Sequence, residues 1–499
     1  MSYSSINRRD VLLVTAGMAV VAAATSSASA QTTVAGPGMP DEPLGGQPPA
    51  GSSPSVKDFD YEIKYNRAFE AILWSMPATS IYAFRRAFDE LGLNDNDIIA
   101  YSAGATPKLE ALTANSTTPY ITSCTDLRKG PVVLELPPAE PDASLYGQVV
   151  DAWQFTIADV GPAGLDQGKG GKYLFTPPGF QGDIPTGYFH VPSPNYRIAF
   201  AFRSIAAPGK TAADAFQYAH KLRMYFLSQV GNPPQQRFVD PINDRYATLP
   251  YYDERAFKDL YEIVSTEPVR EQDKVMMGML TSLGIEKGKP FNPDETTKRA
   301  MRNAAIDAWF YLQDRYDHFP AEHYYWPDRH YASLLVADSH NTFTFIDDDR
   351  IDLIPRAMLY FAGTFIPKTQ SDKPANVYLS PMADRNGHVL EAGKLYKVNV
   401  PADVPVRQFW SLTVYDRATW AFIYSESNRT TLSTFDLPGM TKNPDGSVTL
   451  YVGPKAPAGL ESNWIPTRGK RPFPNLRFYG ATDALHNKTF KMPDFEEVE

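Results

Sequence analysis

Cysteine is almost absent: Cys124 is the only one in 499 residues. An intrachain disulfide, iron–sulfur ligation and CxxC redox chemistry are therefore excluded. Basic blocks are also missing. Lys and Arg number 48 against 57 Asp and Glu, giving a net charge of −9, and a nucleic-acid partner would lack its electrostatic footprint. There is no G-x-S-x-G elbow, no H-E-x-x-H and no Walker loop. The glycine-rich run 161–171 contains Gly-Lys pairs but no Ser or Thr after the lysine, and it reads as a mobile loop between strands. No cofactor is specified by any motif.

Past residue 30 no apolar run approaches the roughly 20 residues that a membrane span needs. Before it, Arg8-Arg9 precede an apolar stretch from Val11 to Ala24, and Ala28-Ser29-Ala30 come after it. A positive start, a short apolar core and an A-x-A site make a cleaved secretory signal, and the paired arginines point to twin-arginine export. Asn7 and the lack of a Lys after Leu12 make the arginine motif incomplete. The expected product is a periplasmic or secreted chain starting near Gln31, without a transmembrane segment. The leader carries a net +1, so that product would hold about −10. Residues 31–57 are rich in Pro, Gly and Ser and read as a disordered linker.

From 58 onward the pattern alternates by region. Tyr65, Phe69, Ile72, Leu73 and Met76 recur at helical spacing, and Pro77 is expected to break or kink that helix. Between about 119 and 203 short strands dominate. A helical region extends from there to about 372, with Ala215, Ala219, Leu222 and Phe226 forming one predicted helix face. Thr211 with Asp214 forms a capping box, and Asn292-Pro293 opens a further helix. Strands return from about 376, spaced by turns such as 443–446. These periodicities predict an α+β protein: a mixed sheet with helices at 58–205, a helical connection at 206–372, and an antiparallel sandwich at 373–499.

Two groups of residues carry a resemblance. One comprises Asn115 to Tyr120, Asp126 to Leu134, Asp151-Ala152-Trp153, Gly171 to Leu174 and Pro177-Pro178-Gly179. The other comprises Phe409 to Asp416, Asn443 to Ser447, Asn463-Trp464-Ile465-Pro466 and Arg477-Phe478-Tyr479. Together they resemble the paired domains of unknown function numbered 1254 and 1214, often called cell-envelope proteins. The resemblance runs from about residue 59 to the end. It implies an α+β domain followed by a jelly-roll or lectin-like β-sandwich, and it implies no agreed activity. Many relatives carry an acid where this chain has Thr117.

Three sets of polar residues are candidates for chemistry. The eight histidines include four between 318 and 340, beside Asp328 and Asp338, but their spacing fits no compact metal site. Asn115, Tyr120, Asp126, Arg128, Asp151 and Arg203 lie on or beside neighbouring strands of an otherwise apolar sheet. They read either as a buried structural network or as a pocket. In the pocket reading Arg128 or Arg203 grips an anion, Asp126 or Asp151 handles protons and His190 is the general base. Trp464 and other aromatics of the second half could stack a flat ligand such as a sugar. Alternation along strand 408–415 turns Trp410, Leu412 and Val414 to one face.

The leading expectation is a protein that binds, and in one version hydrolyses, a small organic or envelope-derived ligand at the domain junction. The alternative is a non-catalytic carbohydrate-binding or structural envelope protein. Oligomeric state is left open.

Overall fold

The computed structural model describes residues 46–49 and 51–498; the leader and most of the predicted linker lie outside the described residues. Asp58–Glu499 form one unit, which holds both predicted domains and the connection between them.

Asp58 accepts from the Tyr61 amide at 3.0 Å and caps a 32-residue helix, Phe59–Glu90. This helix runs through Pro77, contrary to the expected break. Proline removes one helical N–H, but here the surrounding turn, Ala71 to Ile81, is buried throughout, and packing outweighs local propensity. Helices Arg255–Thr266, Lys274–Leu280, Glu295–Asp317 and Leu353–Ala362 share its core, with Leu73, Leu260, Leu280, Leu312 and Phe361 all at or near zero exposure. The cap of Glu295–Asp317 is Asp294, which accepts from Thr297 at 2.7 Å, so that helix starts two residues later than Asn292-Pro293 suggests.

The predicted helix face ending at Phe226 is only half helical. Ala212–Ala219 is a helix, but Arg223–Phe226 is a strand paired antiparallel with Val132–Leu136. Met224 and Tyr225 are buried on opposite sides, which a sheet position satisfies and a surface helix does not.

The first half carries a six-stranded sheet in the order Phe238–Val239, Ile98–Ala100, Tyr120–Asp126, Arg197–Ala206, Ala143–Asp151, Thr156–Val160. A four-stranded sheet, Arg223–Phe226, Val132–Leu136, Gly171–Thr176, Tyr188–Pro192, shares its core through Ile121, Phe202, Leu134 and Phe175. In the second half a five-stranded sheet runs Tyr331–Ala332, Asn376–Pro381, Pro472–Ala481, Val406–Asp416, Thr431–Ser433. A four-stranded sheet, Trp464–Pro466, Val448–Gly453, Leu395–Val400, Glu496–Val498, contributes Leu450 and Val398 to a core that also takes Leu379, Trp410, Leu412, Val414 and Phe478. The fold is α+β, and among the described residues no sheet closes on itself. Among the described residues no helix is long and apolar enough to cross a membrane.

The site owes its position to the five-stranded sheet of the second half. An antiparallel sheet usually leaves one face to water. Here the face opposite the core, bearing Ser411, Thr413, Tyr415, Asn475 and Arg477, is also buried. It is covered by the first half: Tyr415 donates to the Ala114 carbonyl at 2.5 Å, and Arg477 donates to the Thr113 carbonyl at 3.0 Å.

Candidate functional site

Between the two halves lies a cavity of about 420 Å³, within the size range of small-molecule sites. Its polar end is built from two rungs, one on each sheet. On the first sheet Tyr120, Arg203 and Tyr146 stand directly opposite one another on three adjacent strands. Arg203 Nε donates to the Tyr120 hydroxyl at 2.7 Å and Nη1 to the Tyr146 hydroxyl at 3.0 Å. On the second sheet Tyr378, Arg477 and Ser411 are likewise in register. Arg477 Nε donates to Asn475 Oδ1 at 3.0 Å, Nη2 also reaches the Tyr415 hydroxyl, and the guanidinium lies 5.2 Å from the Tyr378 ring. Alternation explains the composition: on each strand the residues between these point into the apolar cores.

The remaining wall is mostly apolar, interrupted by Thr122, Gln148, Ser333, Thr364 and Asn376. Phe84 of the long helix meets Phe365 edge-on at 5.2 Å, and Leu109, Leu335, Leu359 and Ile366 complete that side. No Asp, Glu, His, Lys or Cys lines the cavity among the described residues.

The electrostatics are one-sided. Tyrosine hydroxyls and rings surround both guanidiniums, and neither arginine forms an ion pair with a described carboxylate. Burial works against both guanidiniums, yet the tyrosine hydroxyls around them favour the charged form. Burial also pushes the Tyr479 phenol up, but Arg477 and Arg203 outweigh it and bring that phenol below its ordinary value. Tyr479 accepts from Asn115 Nδ2 at 3.1 Å.

Of the residues singled out in the sequence, Asn115, Tyr120 and Arg203 line this cavity. The others sit elsewhere. Asp126 ends the strand that Tyr120 begins, roughly 20 Å away at the usual rise per residue. It forms a forked pair with half-exposed Arg128, at 3.0 Å from Nε to both oxygens, and Arg128 holds its carboxyl below the usual range against the effect of burial. Asp151 Oδ1 accepts from the Trp153 and Phe155 amides at 2.8 and 3.0 Å and so shapes a turn. His190 is exposed and shares a 3.0 Å hydrogen bond with Thr176. The Trp464 indole donates to the Gly453 carbonyl at 2.9 Å, in the outer sheet of the second half. Three of the four histidines between 318 and 340 pair separately, His318 with Asp314, His330 with Asp494 and His340 with Asp347. Thr117 donates to Asn115 Oδ1 through its amide and hydroxyl, at 2.8 and 2.7 Å, which orients the asparagine toward Tyr479.

Tyr146, Tyr378 and Asn475 are not among the residues singled out in the sequence, and Arg477 has no assigned role there. A signal was present: Asn475, Arg477 and Tyr479 recur every second residue, a polar stripe where a solvated sheet face would be expected.

Fold and site together define an α+β protein with a cavity lined by two arginines from different sheets. Residues 96–226 match the model of a protein family of unknown function, DUF1254, and residues 375–483 match a second, DUF1214. Both matches are present in the order expected from the sequence, the first in the N-terminal and the second in the C-terminal part of the chain. The chain is similar to the VPA0106 protein from Vibrio parahaemolyticus, at 18% identity over 87% of this chain and 100% of that one, with a TM-score of 0.49. It is also similar to an uncharacterized protein from Burkholderia cenocepacia, at 11% identity over 88% and 96% of the two chains, with a TM-score of 0.35. No curated protein matches it.

Proposed function

We propose that this protein is an exported binding protein that holds a small organic anion in the cavity between its two halves. The observation that carries this reading is the pair Arg203 and Arg477, two cations without a carboxylate partner among the described residues that line one cavity. Buried charges are paired in stable proteins, and a charge left unpaired at a cavity is accounted for by a ligand that pairs it. The apolar wall from Phe84 to Ile366 suits an apolar body behind the charged group. With no carboxylate, imidazole, amine or thiol on the lining, hydrolysis would have only phenols and hydroxyls to draw on. Binding is therefore favoured over turnover. Export rests on the leader, Arg8-Arg9 through Ala30. The core shared by the two sheets of the second half supports a sandwich there.

Calorimetric titration with hexanoate, benzoate and hexyl phosphate tests the reading. At least one should bind the wild type, and Arg203→Met should weaken it about tenfold or more, the usual cost of a lost charge-assisted hydrogen bond. Unaltered affinity in that variant, with its fold intact by circular dichroism, would remove the cavity as the binding site.

A further inference from the structure

The donors left free around the two arginines say more about the ligand. Arg203 uses Nε and Nη1 on Tyr120 and Tyr146. Arg477 uses Nε on Asn475 and Nη2 on the Thr113 and Ala114 carbonyls and the Tyr415 hydroxyl. Among the described residues, Arg203 Nη2 and Arg477 Nη1 therefore have no protein acceptor. The Tyr378 hydroxyl is buried without a partner as well. All three residues line the same cavity. Tyr378 and Arg477 are paired on adjacent strands, with the guanidinium 5.2 Å from the Tyr378 ring, and Arg203 reaches the same cavity from the other sheet.

We infer that the head group of the ligand is a compact tetrahedral dianion of the phosphate-monoester class, held by Arg203 Nη2, Arg477 Nη1 and the Tyr378 hydroxyl. The inference rests on the proposed anion binding and adds charge and shape to it. Two uncompensated guanidiniums in a cavity favour two negative charges, since a monoanion leaves one cation desolvated and unpaired. Three free donors match the three terminal oxygens of a phosphate ester, whereas a carboxylate offers a flat pair. A phosphonate would satisfy the same chemistry.

Hexyl phosphate and hexyl sulfate separate charge from shape, because both are tetrahedral with three terminal oxygens but only the first carries a second charge near neutral pH. At pH 7.5 the phosphate should bind at least tenfold more tightly than the sulfate. At pH 5 the gap should close, as the phosphate gains a proton near its second pKa of about 6. The titratable groups facing the site are the arginines and the phenols of Tyr101, Tyr120, Tyr146, Tyr378, Tyr415 and Tyr479, with no carboxylate or imidazole on the lining among the described residues, so this pH change belongs to the ligand. Tyr378→Phe removes a hydroxyl that meets no protein partner at hydrogen-bond distance; it should fold as the wild type does and bind hexyl phosphate about tenfold more weakly. Hexyl sulfate or heptanoate binding as tightly as the phosphate at pH 7.5 would overturn the dianion while leaving anion binding in place. Full affinity in Tyr378→Phe would overturn the three-donor cradle. Binding of none of the three would overturn both readings.

Discussion

Asp151 shows how one buried carboxyl marks the stability of the molecule. It is 1% exposed, and burial pushes it up to about 6, against the pull of the Trp153 and Phe155 amides. Its Oδ2 has no partner. The folded state thus holds a proton that the unfolded chain releases near pH 4, and stability declines as pH rises from about 4 to about 6. The full effect is about 3 kcal/mol at the usual cost per pKa unit. Asp259, also pushed up to about 6 by burial against the pull of Arg86, adds a slope of the same sign. Asp151→Asn keeps the Oδ1 acceptor and removes the titration. Urea midpoints measured from pH 4 to 7 should show a flatter profile in the variant. Parallel profiles would mean that Asp151 does not titrate in this window.

At the scale of elements, the wall made by residues 363–367 is held by two side chains: Thr156 Oγ1 donates to the Ile366 carbonyl at 2.9 Å, and Gln154 makes the remaining bonds. Gln154 Nε2 donates to the Pro77 carbonyl at 2.8 Å and also reaches Ser80, while Oε1 accepts from Thr364 Oγ1 and the Phe365 amide at 2.9 and 3.1 Å. One glutamine therefore joins the long helix to the cavity wall. Three non-glycine residues of this region, Thr113, Gln154 and Phe365, hold left-handed φ values of 43°, 60° and 51°. Such conformations cost of order 1–3 kcal/mol each and persist only where surrounding contacts impose them. Gln154→Ala strands several buried groups at once and should destabilise the protein by about 2–4 kcal/mol. A urea midpoint within error of the wild type would show that these bonds are replaced by water.

At the scale of the whole molecule, the two rungs belong to different halves: Arg203 lies in the segment matching the first family model, Arg477 in that matching the second. A ligand between them ties the halves together. Bound at 100 times its dissociation constant, it should stabilise the protein by about 2.7 kcal/mol. Hydrogen exchange with hexyl phosphate should then slow in Arg197–Ala206 and Pro472–Ala481 together. Protection confined to one of these strands would mean that the ligand does not bridge the junction.

Local chemistry was enough for much of this. Period-two patterning marked the strands around Tyr120, Arg203 and Trp410, and the capping box at Thr211 and Asp214 marked a helix start, because side-chain direction and orphan amides are properties of neighbouring residues. The same patterning put Asn115, Tyr120 and Arg203 among the candidates. It grouped Asp126, Asp151 and His190 with them because sequence proximity does not say which end of a strand a residue occupies. Pro77 inside a helix and the switch to a strand at Arg223 came from packing that no local window contains. Above all, the polar stripe Asn475, Arg477, Tyr479 looks solvent-facing by itself. Only the burial of that sheet face against the first half brings Arg477 into the same cavity as Arg203, since charge without a nearby carboxylate is a property of the assembled junction and of neither strand alone.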